Sequence, residues 1–169
     1  MTATKTQVLN HTEIRQRISR MAYQIYENNF EEKEIIIAGI VDNGFVLAGR
    51  IAEKLEEICD IRVKLSKIVV DKENPLGAKV KIDVKTADFK DKVIVVVDDV
   101  LNSGKTIIYG LEPFLSEKVK KISTAVLVDR NHNRFPVKAD YVGISLATTL
   151  QEHITVDLKG KEKDTVYLK

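Results

Sequence analysis

An internal disulfide is excluded at the outset, because Cys59 is the only cysteine of the 169-residue chain. It follows an apolar helical run with no histidine recognisably paired to it, which makes it packing rather than a nucleophile. A one-sided charge is also missing. Twenty-seven basic against twenty-five acidic side chains leave a formal +2, far from the basic excess that non-specific nucleic-acid binding demands. No long hydrophobic run occurs: the longest, Ile35 to Val41, falls well short of the roughly 20 residues that span a bilayer. No charged segment followed by an apolar one opens the chain, so a cytoplasmic location is expected. His11, His132 and His153 are scattered without metal-ligand spacing. Repeats, low-complexity tracts and linkers are absent as well, and the length suits one domain over residues 1–169.

What the chain does have is 44% hydrophobic and 31% charged residues, the balance of a globular protein. Apolar side chains at Ile14, Ile18, Met21, Ala22, Ile25 and Tyr26 recur at helical spacing and predict a helix over 11–29, with Thr12 as N-cap. The run 34–40, "EIIIAGI", predicts a strand buried on both faces, and Val46, Leu47, Ile51, Leu55 and Ile58 put a helix over 44–58. Alternation at 62–70 and 78–84 predicts a hairpin around a loop at 71–77 that holds Pro75 and Gly77. "KVIVVVDDV" is a second buried strand, ending on Asp98 and Asp99. A helical pattern over 104–117 follows, interrupted by Gly110 and Pro113. A third strand spans 121–130, and 140–146, 154–158 and 165–169 are short strands of an edge pair or small flap. Buried strands alternating with helices predict an α/β fold whose mostly parallel sheet gathers its ligands beyond the strand C-termini.

Three of those strands run into polar loops: "VDNG", "DDVLNSGKT" and "DRNHN". Small residues around Gly104 let backbone N–H groups converge on an anion, and Ser103 and Thr106 add hydroxyls, which makes "NSGKT" a phosphate cradle. It is not a P-loop, since that motif needs glycine where Asp99 stands. Two adjacent carboxylates upstream of a phosphate site suit a sugar phosphate, whose hydroxyls donate to acceptor-only side chains. Alternation points Asp98 and Asp99 in different directions, so their tasks differ. An acidic doublet alone more often marks a turn, and a receiver domain also clusters acids, but neither needs the hydroxyl-and-glycine loop joined to this one.

"VIVVVDDVLNSGKT" resembles the 5-phosphoribosyl-1-pyrophosphate (PRPP) motif of type I phosphoribosyltransferases. With "IIIAGIVDNGFVLAGRIAEKLEE" and "AVLVDRNHNRFPVKADYVG", the likeness covers about residues 12 to 158 and points to the PyrR group, pyrimidine operon regulators with uracil phosphoribosyltransferase activity. The resemblance implies a central, mostly parallel sheet flanked by helices, a small hood from about 140–158 with the chain ends, and a flexible loop at about 66–78. It implies that Asp98 and Asp99 meet the ribose hydroxyls. Val100, Leu101, Asn102, Ser103, Gly104, Lys105 and Thr106 would hold the 5-phosphate, and Val41, Asp42, Asn43 and Gly44 the pyrophosphate. Arg130 would act near the pyrophosphate or base, with Tyr141, Val142, Leu150 and Gln151 against the base. Mg²⁺ would come with PRPP, touching Asp98 or Asp99 at most. A homodimer or homotetramer, and transfer to uracil with a purine as the alternative base, complete the implication. RNA binding, the group's second activity, ranks behind transfer, and the alternative reading is a catalytically weak, nucleotide-sensing regulator that binds RNA or a protein partner. The chain departs from the group at Asn43, where relatives carry arginine, in a cover loop without the usual Tyr-Arg-Asp, at Ala147 for proline, at Tyr23 for histidine and at Asn133 for arginine.

Overall fold

Strands that are apolar along their whole length need cover on both faces, and the computed structural model, which describes residues 4–160 and 162–169, supplies it. The main sheet has the order β4-β3-β2-β5-β6-β7, built from β2 (Glu34–Ile40), β3 (Arg62–Val69), β4 (Lys81–Ile82), β5 (Val93–Leu101), β6 (Lys121–Asp129) and β7 (Tyr141–Ser145). All pairings are parallel except the two-residue antiparallel β4 on β3. From β2 the chain moves outward to β3, then returns past β2 to β5 and proceeds through β6 to β7 in the other direction. That reversal opens a crevice at the carboxyl ends of β2 and β5, where doubly wound sheets bind ligands.

One face carries α1 (His11–Asn29) and α2 (Asn43–Ile58), whose Ile14, Ile18, Leu47, Ile51 and Leu55 pack with Ile35, Ile37, Val93 and Val95. On the other, Ile36, Ala38, Ile94 and Val96 meet Ile107 of α3 (Lys105–Gly110) and the tilted pair Phe89 and Phe114, with ring centroids 4.9 Å apart. A separate antiparallel sheet of order β1-β9-β8, from β1 (Thr6–Leu9), β8 (Ile154–Asp157) and β9 (Thr165–Leu168), closes over the first core through Leu9, Val156 and Val166. Among the described residues, no helix is long and apolar enough to cross a membrane.

Several sequence expectations need correction. Helix α1 has the expected bounds, but Asn10, not Thr12, is its N-cap, its Oδ1 accepting from the Glu13 amide at 2.9 Å while Glu13 Oε2 accepts from the Asn10 amide at 2.8 Å. That reciprocal pair is a capping box. Val46 lies on the exposed side of α2. The helix expected over 104–117 stops at Gly110, and a 3₁₀ turn, Glu112–Phe114, replaces the rest because Pro113 supplies no amide. Residues 140–146 do not join the hood. They form β7, which continues the main sheet beside β6, and the hood is instead made with β1, a four-residue strand without sequence signal.

Candidate active site

The turn from β2 into α2 lies at the crevice. The peptide between Val41 and Asp42 is cis, and the Val41 amide donates to Ile68 O of β3 at 3.0 Å, so it is not free for a ligand. A Cβ on Gly44 would stand 2.9 Å from Val97 O and 3.0 Å from Asp98 Cα. Only glycine lets the first turn of α2 rest on β5 beside the acids. The Asn43 side-chain amide donates to Asp99 Oδ2 at 3.3 Å and to Val156 O of β8 at 2.9 Å. Asp42 is exposed to solvent.

The acids themselves lie within β5, which runs on to Leu101 instead of ending on them. Alternation carries Asp98 to the α3 side, after Val96, and Asp99 to the α2 and hood side, after Val97. Asp98 is only 2% exposed. Its Oδ1 accepts from the Asp99 amide at 2.9 Å and from Lys72 Nζ at 3.4 Å, a contact that comes from the connection between β3 and β4. Burial, followed by the neighbouring charge of Asp99, pushes the Asp98 carboxyl up to about 8. Lys72 pulls the other way but is itself 41% exposed, so water screens it and burial prevails.

Beyond the acids, Asn102 to Thr106 form the predicted cradle. Gly104 has φ +87° and stands at the start of α3, a left-handed conformation that glycine takes without strain. The loop is braced from behind by the amides of Arg134 and Phe135, which donate to Ser103 O at 2.8 and 3.0 Å. Ser103 Oγ accepts from the Lys105 amide at 3.2 Å. The amides of Ser103, Gly104 and Thr106 donate to no protein acceptor among the described residues. A cavity of about 200 Å³ lies in front of them, bounded also by Lys72 and Asp98. Leu101, by contrast, is a buried strand residue, and Val100 packs partly against the first core. Their side chains serve packing. A larger groove, about 630 Å³, runs between α1 and α2 over the ion pairs of His11 and Arg50 with Asp164, and shares no residue with the acid pair. Size alone therefore misplaces the chemistry.

Arg130 is 5% exposed, and its guanidinium is occupied by the protein. Nε donates to Thr148 Oγ1 at 2.9 Å, one terminal nitrogen to Asn102 Oδ1 at 3.3 Å, and the other to Thr149 O and Glu152 O at 3.2 and 2.6 Å. It clamps the loop after β7 to the 102–106 loop. The predicted base residues separate. Leu150, 77% exposed, and Gln151 are carried on that loop, whereas Tyr141 is buried in the first core with its hydroxyl accepting from Asn28 Nδ2 at 3.2 Å, and Val142 packs against the second. The structure thus brings together Asn43, Asp98, Asp99 and the 102–106 loop, and leaves Tyr141 and Val142 in the sheet. Thr148 and Glu152, which hold Arg130, escaped the sequence reading because nothing in their spacing links them to it.

A divalent cation fits this site as a companion of the ligand. Two adjacent carboxylates offer hard oxygen donors, the buried one lacks a full counter-charge, and no cluster of three or more metal-binding side chains occurs among the described residues. The phosphoribosyl transferase domain family matches residues 4–161. The bifunctional protein PyrR of Clostridium acetobutylicum is 36% identical over 170 residues, 96% of this chain and 96% of its own. That of Fusobacterium nucleatum is 37% identical over 166 residues, 92% and 94% of the two chains. Among solved structures, a hypoxanthine-guanine phosphoribosyltransferase from Bacillus anthracis shares the fold with a TM-score of 0.74 at 22% identity over 95% of each chain. The hypoxanthine phosphoribosyltransferase of Trypanosoma cruzi in complex with IMP does so at 0.77 and 20%, covering 99% of this chain and 95% of its own. The family match along nearly the whole chain, the two PyrR relatives and the acid pair on its cradle lead to one conclusion: the chain belongs to the type I phosphoribosyltransferases, in the PyrR group.

Proposed function

We propose that the protein transfers the phosphoribosyl group of PRPP to a nucleobase, with uracil as the favoured acceptor and a purine base as the alternative, and releases pyrophosphate. The observation that carries this reading is the juxtaposition, across one small cavity, of the buried carboxylate of Asp98 and three unengaged backbone amides, with Asp99 next to it on β5. The amides of Ser103, Gly104 and Thr106, with the hydroxyls of Ser103 and Thr106, would hold the 5-phosphate. Asp99 and Asp98 would accept from the ribose hydroxyls, and Asn43 would keep Asp99 oriented against the hood. Arg130 would act through position, by fixing the loop of Leu150 and Gln151 over the base.

During transfer the ribose C1–O bond breaks with its electron pair on the departing pyrophosphate. A base nitrogen supplies the pair for the new C1–N bond, and its proton leaves to solvent. The chain's share is orientation, exclusion of water and fixed charge around an oxocarbenium-like ribose. Mg²⁺, held by Asp98 or Asp99 and the oxygens of PRPP, would supply neutralising charge. Calorimetric titration of PRPP with Mg²⁺ tests the donor site: saturable binding is expected, lost in Asp98→Asn and Asp99→Asn, and equal behaviour of both variants and parent would refute it.

RNA binding is not favoured by helix α1, whose arginines are Arg15, Arg17 and Arg20. Arg20 donates to Val142 O and Gly143 O, and Arg17 to Gly143 O, so two of the three arginines of α1 are tied to strand β7, Arg20 while still exposed. A nucleotide-dependent mobility shift with a pyrimidine-leader RNA would reverse that ranking.

A further inference from the structure

Most polar side chains that border the loop of Leu150 and Gln151 are spent on holding it. Arg130 gives its guanidinium to Thr148, Thr149, Glu152 and Asn102. Asn131 Nδ2 donates to Ser145 Oγ at 2.9 Å, and His132 Nε2 donates to Thr148 O at 2.6 Å. Gln151 itself is exposed, and with neither end of its carboxamide held among the described residues it turns to suit a donor or an acceptor alike.

Asn102 differs, because it is held at one end only. Its Oδ1 accepts from Arg130 Nη1 at 3.3 Å, while its Nδ2 meets no protein acceptor among the described residues. A guanidinium only donates, so the carboxamide cannot turn over without setting two donors face to face. The residue is exposed and lines the cavity that Asp98, Ser103, Gly104 and Thr106 also bound. It follows β5 directly, and a single guanidinium joins it to Thr149 O and Glu152 O, on either side of Leu150 and Gln151. A fixed N–H donor therefore stands between the acid pair and the loop assigned to the base.

Resting on the reading of the site as one that joins PRPP to uracil, we propose that Asn102 is a specificity-determining residue, its Nδ2 donating to the acceptor beside the ring nitrogen that receives the ribose. Uracil, bonded through N1, carries a carbonyl oxygen there, on C2. Hypoxanthine and guanine, bonded through N9, offer the lone pair of N3 and are tolerated. Xanthine has an N–H at that place, which sets donor against donor, and it is refused. A site built to hydrogen-bond one group rejects the analogue that lacks it, because the protein group is then left unpaired beneath the ligand. Arg130 is the positioning residue of this arrangement, since it decides which end of the carboxamide the base meets.

The test is calorimetric and uses three ligands: uridine 5′-monophosphate, its 2-thio analogue, whose sulfur is a weak acceptor, and ribose 5-phosphate, which has no base. The parent is expected to prefer the oxygen nucleotide to the sulfur one by about 5- to 10-fold, the worth of one hydrogen bond. In Asn102→Ala that preference should shrink to within about 2-fold, with ribose 5-phosphate affinity unchanged within about 2-fold, a pattern that a merely structural role does not produce. Asn102→Asp keeps the bond to Arg130 but replaces the donor by an acceptor, and it should bind the oxygen nucleotide more weakly than Asn102→Ala does. A preference for oxygen that survives in Asn102→Ala, or a loss of ribose 5-phosphate equal to that of the nucleotide, would overturn the assignment. A parent chain that binds neither the nucleotide nor ribose 5-phosphate would instead refute the ribose-phosphate site itself, and this proposal with it.

Discussion

Asn43 Nδ2 stands 3.3 Å from Asp99 Oδ2, and the same amide donates to Val156 O at 2.9 Å. One neutral side chain thus joins the turn after β2, a carboxylate of β5 and the hood. Asn43→Ala removes both bonds, which lie in a partly buried setting. A stability loss of about 1 to 2 kcal/mol is expected, with faster amide exchange confined to β8 and its neighbours. Chemical denaturation and hydrogen exchange check it. Unchanged exchange in β8 would show that Asn43 does not hold the hood.

Asp98 sets a pH dependence. Its carboxyl is raised from 3.8 to about 8 by burial and by Asp99, so between those values the folded chain keeps a proton that the unfolded chain releases. The contribution of this group to stability is therefore greatest at low pH and declines as pH rises through that window. Asp98→Asn abolishes the decline, and its Tm should exceed the parent's at pH 9, with the gap closing toward pH 4. On the proposed site PRPP with Mg²⁺ would take the ionised form, so binding at pH 7 should release about one proton, measured by calorimetry in buffers of different ionisation enthalpy, and affinity should climb with pH up to about 8.

Gly44 and Gly49 sit on the same helix with opposite prospects. A methyl on Gly44 would press into Val97 O and Asp98 Cα at 2.9 and 3.0 Å, whereas one on Gly49 meets only Leu65 Cδ2 at 3.8 Å. Gly44→Ala should cost about 1 to 3 kcal/mol and weaken PRPP binding by displacing the acids. Gly49→Ala should be neutral or stabilising by up to about 1 kcal/mol. Parallel melts of the two variants decide it.

Asp164 anchors the far side of the molecule. Its buried carboxylate accepts from Arg50 at 2.5 and 3.1 Å, from the Gly160 amide at 2.8 Å, and pairs with His11 at 3.0 Å. Burial opposes the charge, but these partners outweigh it and hold the carboxyl below its ordinary value. The stabilisation is complete above that ordinary value and is lost as pH falls through the folded one. Asp164→Ala strands Arg50, and a loss of about 3 kcal/mol is expected, with PRPP affinity preserved because the groove shares no residue with the acid pair.

Strands β2, β5 and β6 and helices α1 and α2 were legible in the sequence because each is a long element with one uninterrupted pattern. The hood was not. Its β1 is four residues, "TQVL", which no periodicity distinguishes, and "DYVGISL" looks the same whether it pairs in a flap or, as it does, extends the main sheet. The acid pair and cradle were readable since their chemistry is contiguous in the chain. The role of Arg130 was not, because its partners Thr148, Thr149 and Glu152 are 18 to 22 residues downstream in an irregular loop. Tyr141 was misjudged for a related reason: an aromatic beside a site and an aromatic in the core have the same sequence, and only packing against α1 separates them.

The central claim is that Asp98, Asp99 and the 102–106 loop hold PRPP for transfer to a base. The most direct measurement incubates the protein with PRPP, Mg²⁺ and radiolabelled uracil, guanine, hypoxanthine, xanthine or adenine, and follows label into nucleoside monophosphate together with pyrophosphate release. Conversion of uracil with one pyrophosphate per nucleotide, abolished in Asp99→Asn, is the result expected. Label that stays in the free base for all five, at any PRPP concentration, would contradict it.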